Sequence, residues 1–396
     1  MKKIVLAALV VCATTGFSQS WVQMSNAPTG RHHPVSFSLD GKGYAVTGTR
    51  ANGQPTSDAY EYDPVANTWT TLSAFPGPAR SFGIGVVNNG IAYLGFGAGF
   101  SNYLNDLWSY DATTNTWTEL ASCGCSGRRH PAMMAVGDKI YVGLGDDASG
   151  DRNDFWMYDI TLNTWTQIAS LPGSARHHPY MFTAAGEAFA GMGHRGSVIF
   201  KDWYKLDATN NTWTQMNDFP GEARVAGTQF SIGDKGFVLS GDGDDHSFMS
   251  TGEMWRYSPD TDEWKSLTPH PGISRWAPGS FVINNEVYFF GGQNRQTFGF
   301  PSDLWKFDLT SETVGVKEQS IKTQKVFPNP ASNTIYWEYD QRITEVKVYD
   351  AVGQLLVKSN TSLSQLSLGD FKNGMYVIHF YEKGQLIASS RVLVQH

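Results

Sequence analysis

The chain has 396 residues and a net charge of −7, with 41% hydrophobic and only 17% charged residues. That balance leaves no broad basic surface for a phosphate backbone, so nucleic acid is excluded as an expected partner. Forty-one glycines and an aromatic content of 13% suit an all-β chain, whose turns need glycine and whose pleated faces take aromatics.

The first residues, MKKIVLAALVVCATTGFSQS, read as a secretory signal peptide. Lys2 and Lys3 are its basic region, Ile4 to Ala13 its short apolar core, and Gly16-Phe17-Ser18 its small-residue cleavage site, with the cut expected after Ser18. Val11 in front of Cys12 argues against lipid attachment. The remaining sequence has no apolar run long enough to span a bilayer, so the expectation is an exported protein with no transmembrane segment. The mature chain would keep only Cys123 and Cys125, too few for a disulfide framework.

From residue 21 the sequence repeats. Tryptophans stand at Trp21, Trp69, Trp117, Trp165, Trp213 and Trp264, spaced 48, 48, 48, 48 and 51. Arg31, Arg80, Arg128, Arg176, Arg224 and Arg275 keep almost the same period, as do Gly48, Gly97, Gly145, Gly193, Gly241 and Gly292. Each unit reads as four short strands, for example RHHPVSFSL, GKGYAVTG, DAYEYD and NTWTTL, with period-2 alternation and Gly or Asn turns.

Four strands at a period near 50 resemble the kelch repeat, whose array closes into a β-propeller. The residues that carry the resemblance are the glycine pair, the aromatic of NDLWSYD (Trp108) and the outer-strand Trp117. The pair is complete only at Gly291-Gly292; elsewhere Thr47, Phe96, Leu144, Met192 and Ser240 replace its first member. Five units end in their own Trp strand, whereas the unit beginning at Arg275 stops after SDLWKFD. WVQM at 21–24 supplies the missing strand, which predicts a six-bladed propeller over 19–310 closed by its N-terminal strand. Tryptophans at identical blade positions then read as inter-blade packing rather than a sugar platform.

Residues 311–324 are polar and aperiodic and read as a linker. The alternating strands of 325–396 fit a small β-sandwich. This segment resembles the C-terminal sorting domain of type IX secretion substrates, through Phe327-Pro328-Asn329-Pro330-Ala331, Val348-Tyr349-Asp350 with Gly353, and Gly374-Met375-Tyr376-Val377. The resemblance implies the type IX secretion machinery as a partner. It also implies release from, or attachment to, the surface of a Gram-negative bacterium.

Antiparallel order puts the loops entering at the six arginines on the same face as the loops after the six glycines, and a ligand is expected there. The arginines can hold an anion with their guanidinium forks, or can pair structurally with carbonyls or with Asp106, Asp154 or Glu253. His33, His130 and His178 occupy one equivalent position in three blades, where Phe82, Ala226 and Ala277 stand elsewhere. Blades 1 and 4 are opposite, so the expectation is that His33 and His178 cannot share an ion and only His130 and His178 approach. Asp146, Asp147 and Asp151, with Asp242, Asp244 and Asp245 in a second loop, are candidate calcium ligands, the alternative being solvated loop acids. No cofactor other than calcium is expected. CGC at 123–125 replaces the Phe-Pro-Gly of sister loops and suits a local disulfide, not a redox motif.

The sequence reading is thus an exported binding protein for a glycan, an anionic ligand or a surface protein. The alternative is a carbohydrate-active enzyme resembling sialic-acid mutarotases. Galactose oxidases are a weaker likeness, because they need seven blades and a Tyr–Cys crosslink. No catalytic residue carries over position by position.

Overall fold

The computed structural model describes residues 20–313, 322–338, 343–350, 354–359, 364–382 and 385–396. The expected signal peptide at 1–18, residues 314–321 of the expected linker, and Gly353 lie outside the described residues. The chain divides into two compact units, 1–313 and 314–396.

Among the described residues, the first unit contains six four-stranded antiparallel sheets in chain order. The first comprises Val35–Leu39, Lys42–Val46, Ala59–Asp63 and Thr68–Thr71, and the next four repeat this meander. The last is built from Gly279–Ile283, Glu286–Phe290 and Leu304–Asp308, with Val22–Met24 as its outer strand through the pairs Val22–Lys306 and Met24–Leu304. The innermost strands contact one another in sequence, and Gly279–Ile283 contacts Val35–Leu39. One apolar cluster lies between each neighbouring pair of sheets; Ala45 and Tyr62 of the first sheet, for instance, pack with Phe281 and Tyr288 of the last.

The periodic residues each have a mechanical task. Trp69, Trp165 and Trp213 donate their indole N–H to the carbonyls of Ser25, Ala121 and Ala169, each in the preceding repeat. Tyr62, Tyr110 and Tyr158 donate their hydroxyls to Asn67, Asn115 and Asn163, which sit in left-handed turns at φ of 51–53°. Asn67 and Asn163 accept a second bond from Ser25 N–H and Ala121 N–H, so the turn also ties repeat to repeat. The tryptophans therefore bridge sheets.

The six arginines are 0–8% exposed. Arg31 binds both oxygens of Asp58 at 2.6 and 3.0 Å and the Thr47 carbonyl at 2.7 Å. Arg80 with Asp106, Arg128 with Asp154, Arg176 with Asp202 and Arg275 with Asp303 repeat this two-pronged grip, each adding a carbonyl 16 residues on. In the fifth sheet Glu253 meets Arg224 through one oxygen only, and Arg224 Nη1 is left buried without a partner.

The periodic glycines complete this joint. Gly48, Gly97, Gly145 and Gly241 donate their N–H to the carbonyls of Arg80, Arg128, Arg176 and Arg275, the arginine of the following repeat, and Gly292 donates to Arg31. Their φ values run from 81° to 106°, and a Cβ on Gly97 or Gly145 would lie 2.4 Å from the carbonyl oxygen of Ser81 or Arg129. Only glycine fits there. Five of the six periodic glycines, Gly193 included, also follow a left-handed non-glycine residue: Thr47, Phe96, Leu144, Met192 and Ser240 at φ of 53–65°. An L-residue tolerates that at a cost of about 1–2 kcal/mol. All five side chains are fully buried, so they fill space that a glycine would leave empty.

The expected strand RHHPVSFSL is broken. Arg31–His32 pairs with Thr49–Arg50, and the inner strand begins only at Val35, because His33 takes a left-handed φ of 49°.

At the end of the first unit Thr310–Thr313 form a helical turn whose Glu312 pairs with Arg256 and Lys265. The second unit has a five-stranded sheet, whose longest strands are Gly374–Glu382 and Gln385–Val394, and a three-stranded sheet of Val326–Phe327, Thr334–Trp337 and Gln365–Ser367. They enclose Ile335, Trp337, Val348, Ile378, Phe380 and Val392. Asn329 stitches the two together, donating to Arg391 O and accepting from Leu393 N–H at 2.9 Å each. Pro328 and Pro330 flank it, Gly374 opens a strand, and Tyr376 donates its hydroxyl to Lys372 O at 2.8 Å.

Removing one guanidinium strands its carboxylate. We expect Arg176→Ala to lower stability by about 3–5 kcal/mol in urea titration, since Asp202 is only 20% exposed. Lys42→Ala, which breaks the solvent-screened pair with Asp63, should leave the urea midpoint nearly unchanged.

Candidate functional site

The six residues two positions after the arginines turn into the centre of the first unit. His33, Phe82, His130, His178, Ala226 and Ala277 all have φ between 49° and 61° and line one cavity of ≈130 Å³. None of the six arginines lines it. Their guanidinium groups are spent on carboxylates and carbonyls behind the rim.

The expectation that His33 and His178 stay apart is corrected by the structure. His33 Nε2 and His178 Nε2 are 3.0 Å apart, and the rings of His130 and His178 lie 3.7 Å centre to centre. Opposite position in chain order does not mean distance here, because the left-handed backbone brings all three imidazoles into the same narrow opening. One ring nitrogen from each lies within 4.8 Å of the other two. Phe82 and Trp276 each pack edge-on to His33 at 4.6 Å.

Each of these rings is backed by a partner. His130 Nδ1 faces Asp146 Oδ1 at 3.0 Å, His178 Nδ1 faces His194 Nε2 at 3.3 Å, and His33 Nδ1 faces His32 Nδ1 at 2.7 Å. Asp146 also accepts from Arg129 at 2.6 Å, and Asp151 pairs with His177 Nδ1 at 2.6 Å. His130 Nε2 is buried with no hydrogen-bond partner.

Asp146 and Asp151 thus belong to the histidine cluster, while Asp147 is held by Arg152 and Ser126. Asp242 is 1% exposed and pairs with Arg295; burial pushes its carboxyl up to about 6, against the pull of that guanidinium. Asp244 and Asp245 are exposed, the latter accepting the Ser247 N–H. Among the described residues, Asp146 is the one acid in any group able to converge on an ion. Cys123 and Cys125 are joined as a disulfide.

The sequence reading missed His194 and the role of Asp146 behind His130. A signal for both exists in the repeat. The residue after each periodic arginine pairs with the residue after the periodic glycine 17 positions on, as in Arg129–Asp146, His177–His194, Val225–Asp242 and Trp276–Gln293. A polar residue after the glycine therefore stands at the rim.

Burial pushes the imidazoles of His33, His130 and His178 well below their usual range, and neighbouring histidines and Arg129 push them further. Burial alone takes His32 to about 4, and it takes His270 to about 3 with help from Arg275. A group with a lowered folded pKa contributes stability above its unfolded value and loses it as pH falls towards the folded one. Unfolded histidine titrates near about 6.5. The urea midpoint should therefore decline between about pH 6.5 and pH 4, before most carboxylates titrate. A midpoint that is flat to pH 4 would contradict the buried, neutral histidines.

Comparison with known proteins gives two family matches. The KLHDC2/KLHL20/DRC7 Kelch-repeats domain matches residues 6–142 and 101–241. The secretion system C-terminal sorting domain matches residues 325–395. A curated relative, N-acetylneuraminate epimerase of Pasteurella multocida (strain Pm70), is 36% identical over 77 residues, 18% of this chain and 20% of that protein. The match thus spans about a fifth of the relative's length.

Proposed function

The chain belongs to the kelch-repeat family and ends in a secretion system C-terminal sorting domain, and from that premise we propose that it is an exported binding protein. Its first unit is a six-bladed propeller closed by its N-terminal strand. Its ligand is a small oxygen-rich solute, a sugar or sugar acid, taken up at the channel mouth. The signal peptide brings the chain across the inner membrane, and residues 325–396 address it to the type IX machinery.

The observation that carries the binding reading is the convergence of His33, His130 and His178 on one cavity that the ring of Phe82 also lines. Imidazole nitrogens suit hydroxyls and carboxylates, while aromatic faces suit the C–H faces of a sugar. The arginines act as the rim's braces rather than as the ligand's anion holders. The 77-residue likeness to an N-acetylneuraminate epimerase supports a second reading, an enzyme acting on a sugar acid at the same mouth.

Calorimetry of the full chain against N-acetylneuraminate and neutral hexoses tests this. Binding should weaken at least about tenfold, roughly 1.4 kcal/mol, in Phe82→Ala, which removes the aromatic ring of the cavity wall, with little change in melting temperature. Absence of binding by the whole panel would sink the sugar reading. NMR detection of anomer interconversion above the solvent rate would favour the enzyme. Deleting residues 325–396 should leave the protein in the periplasm when cell fractions are compared with the full chain.

A further inference from the structure

We propose that His33, His130 and His178 form a three-imidazole site for a divalent transition-metal ion of the zinc class, with its fourth position open to the channel cavity. The inference rests on the mouth being open to solutes, as argued above, and adds the ion that would hold them.

The hydrogen bonds fix where the lone pairs point. The Gly196 carbonyl can only accept, so His194 Nδ1, 3.2 Å away, carries the hydrogen and His194 Nε2 is an acceptor. His178 Nδ1 must then donate to it, which leaves the His178 Nε2 lone pair free. Asp146 accepts from His130 Nδ1 in the same way, leaving a lone pair on His130 Nε2. That atom is buried and unpartnered, on a side chain only 7% exposed. Carboxylate-backed imidazoles of this kind are the usual supports of metal-binding histidines.

His33 can take either tautomer. With His32 Nδ1 donating to it, His33 Nε2–H donates across the 3.0 Å gap to His178 Nε2. With His33 Nδ1 donating instead, two lone pairs face each other, and a cation between them removes the conflict. The change moves one hydrogen on each ring and needs no net proton. Bonds of about 2.0–2.1 Å in a tetrahedron set ligand nitrogens about 3.3 Å apart, so the His33–His178 pair already stands near that spacing.

The competing groups are less free. His177 Nδ1 is taken by Asp151, and Asp146 is shared between Arg129 and His130. Three neutral nitrogens select zinc, copper, nickel or iron over calcium and magnesium, which prefer oxygen. Three protein ligands with an open vertex over the ≈130 Å³ cavity match a site that takes water or an oxygen-bearing ligand, not a closed structural one.

The test uses the untagged full chain, stripped with chelator and titrated with Zn²⁺ by calorimetry, and with Co²⁺ by visible absorption. One equivalent should bind, with the intense bands of four-coordinate cobalt. His130→Ala and His178→Ala should each weaken binding at least about 100-fold, and Asp146→Asn by about 10–100-fold. His379→Ala, in the second unit, should leave it unchanged. Melting of the stripped proteins checks folding, and His178→Phe replaces His178→Ala if the latter fails to fold. Substoichiometric binding by the wild type would overturn the proposal, as would full affinity in His130→Ala/His178→Ala or loss of affinity in His379→Ala. Sugar binding by the stripped protein without any metal uptake would sink this inference alone. One equivalent of metal with no sugar binding would sink only the preceding reading.

Discussion

A buried guanidinium at the start of every repeat holds the first unit together. A charge taken out of water is tolerable only when its hydrogens are matched, and here the acid just before the third strand and the carbonyl just after the second, Asp58 and Thr47 for Arg31, do the matching. The arginine's own carbonyl then receives the glycine N–H of the preceding repeat. One residue therefore fixes three strands of its own sheet and the joint to its neighbour. The least matched of the six is Arg224, whose partner Glu253 ends the acidic loop DGDDHSFMSTGE and falls 29 residues on instead of 26–28.

That joint also creates the site. Directly after the arginine the chain must reverse into the inner strand, and it does so through a left-handed residue whose side chain meets its equivalents over the channel. The fold fixes the backbone at that position but not the residue type, as Phe82, Ala226 and Ala277 illustrate. Chemistry can be placed there without disturbing the arginine beneath. Rigid support and a free choice of side chain coincide at one position per repeat.

Much of this was legible in the sequence. The period and the four strands of a unit follow from turn residues and alternation, which are local properties. The packing role of the tryptophans follows from their identical placement. What the sequence hid was three-dimensional. A ring drawn from chain order puts His33 and His178 at opposite sides, yet nothing in the pattern reports how narrow the opening becomes when six left-handed residues turn inward. The arginines were visible as a ring, but their burial was not, because a periodic cation next to a loop looks the same whether it faces solvent or an aspartate. His194 stayed hidden because it stands outside the repeated motif letters, although its pairing offset recurs.

The outer strand of the last sheet comes from Val22–Met24, and the last periodic glycine bonds back to Arg31. These contacts join residues separated by nearly the whole of the first unit. Loop closure over such a length is slow compared with forming any one hairpin meander. The final sheet is therefore left with an unpaired edge until Val22–Met24 meets Leu304–Asp308. For an exported chain this sets an order of events: the unit cannot finish folding while either end is still threaded through a membrane. A single cut anywhere in a surface loop, by contrast, would leave the seam zipped and the two pieces held together.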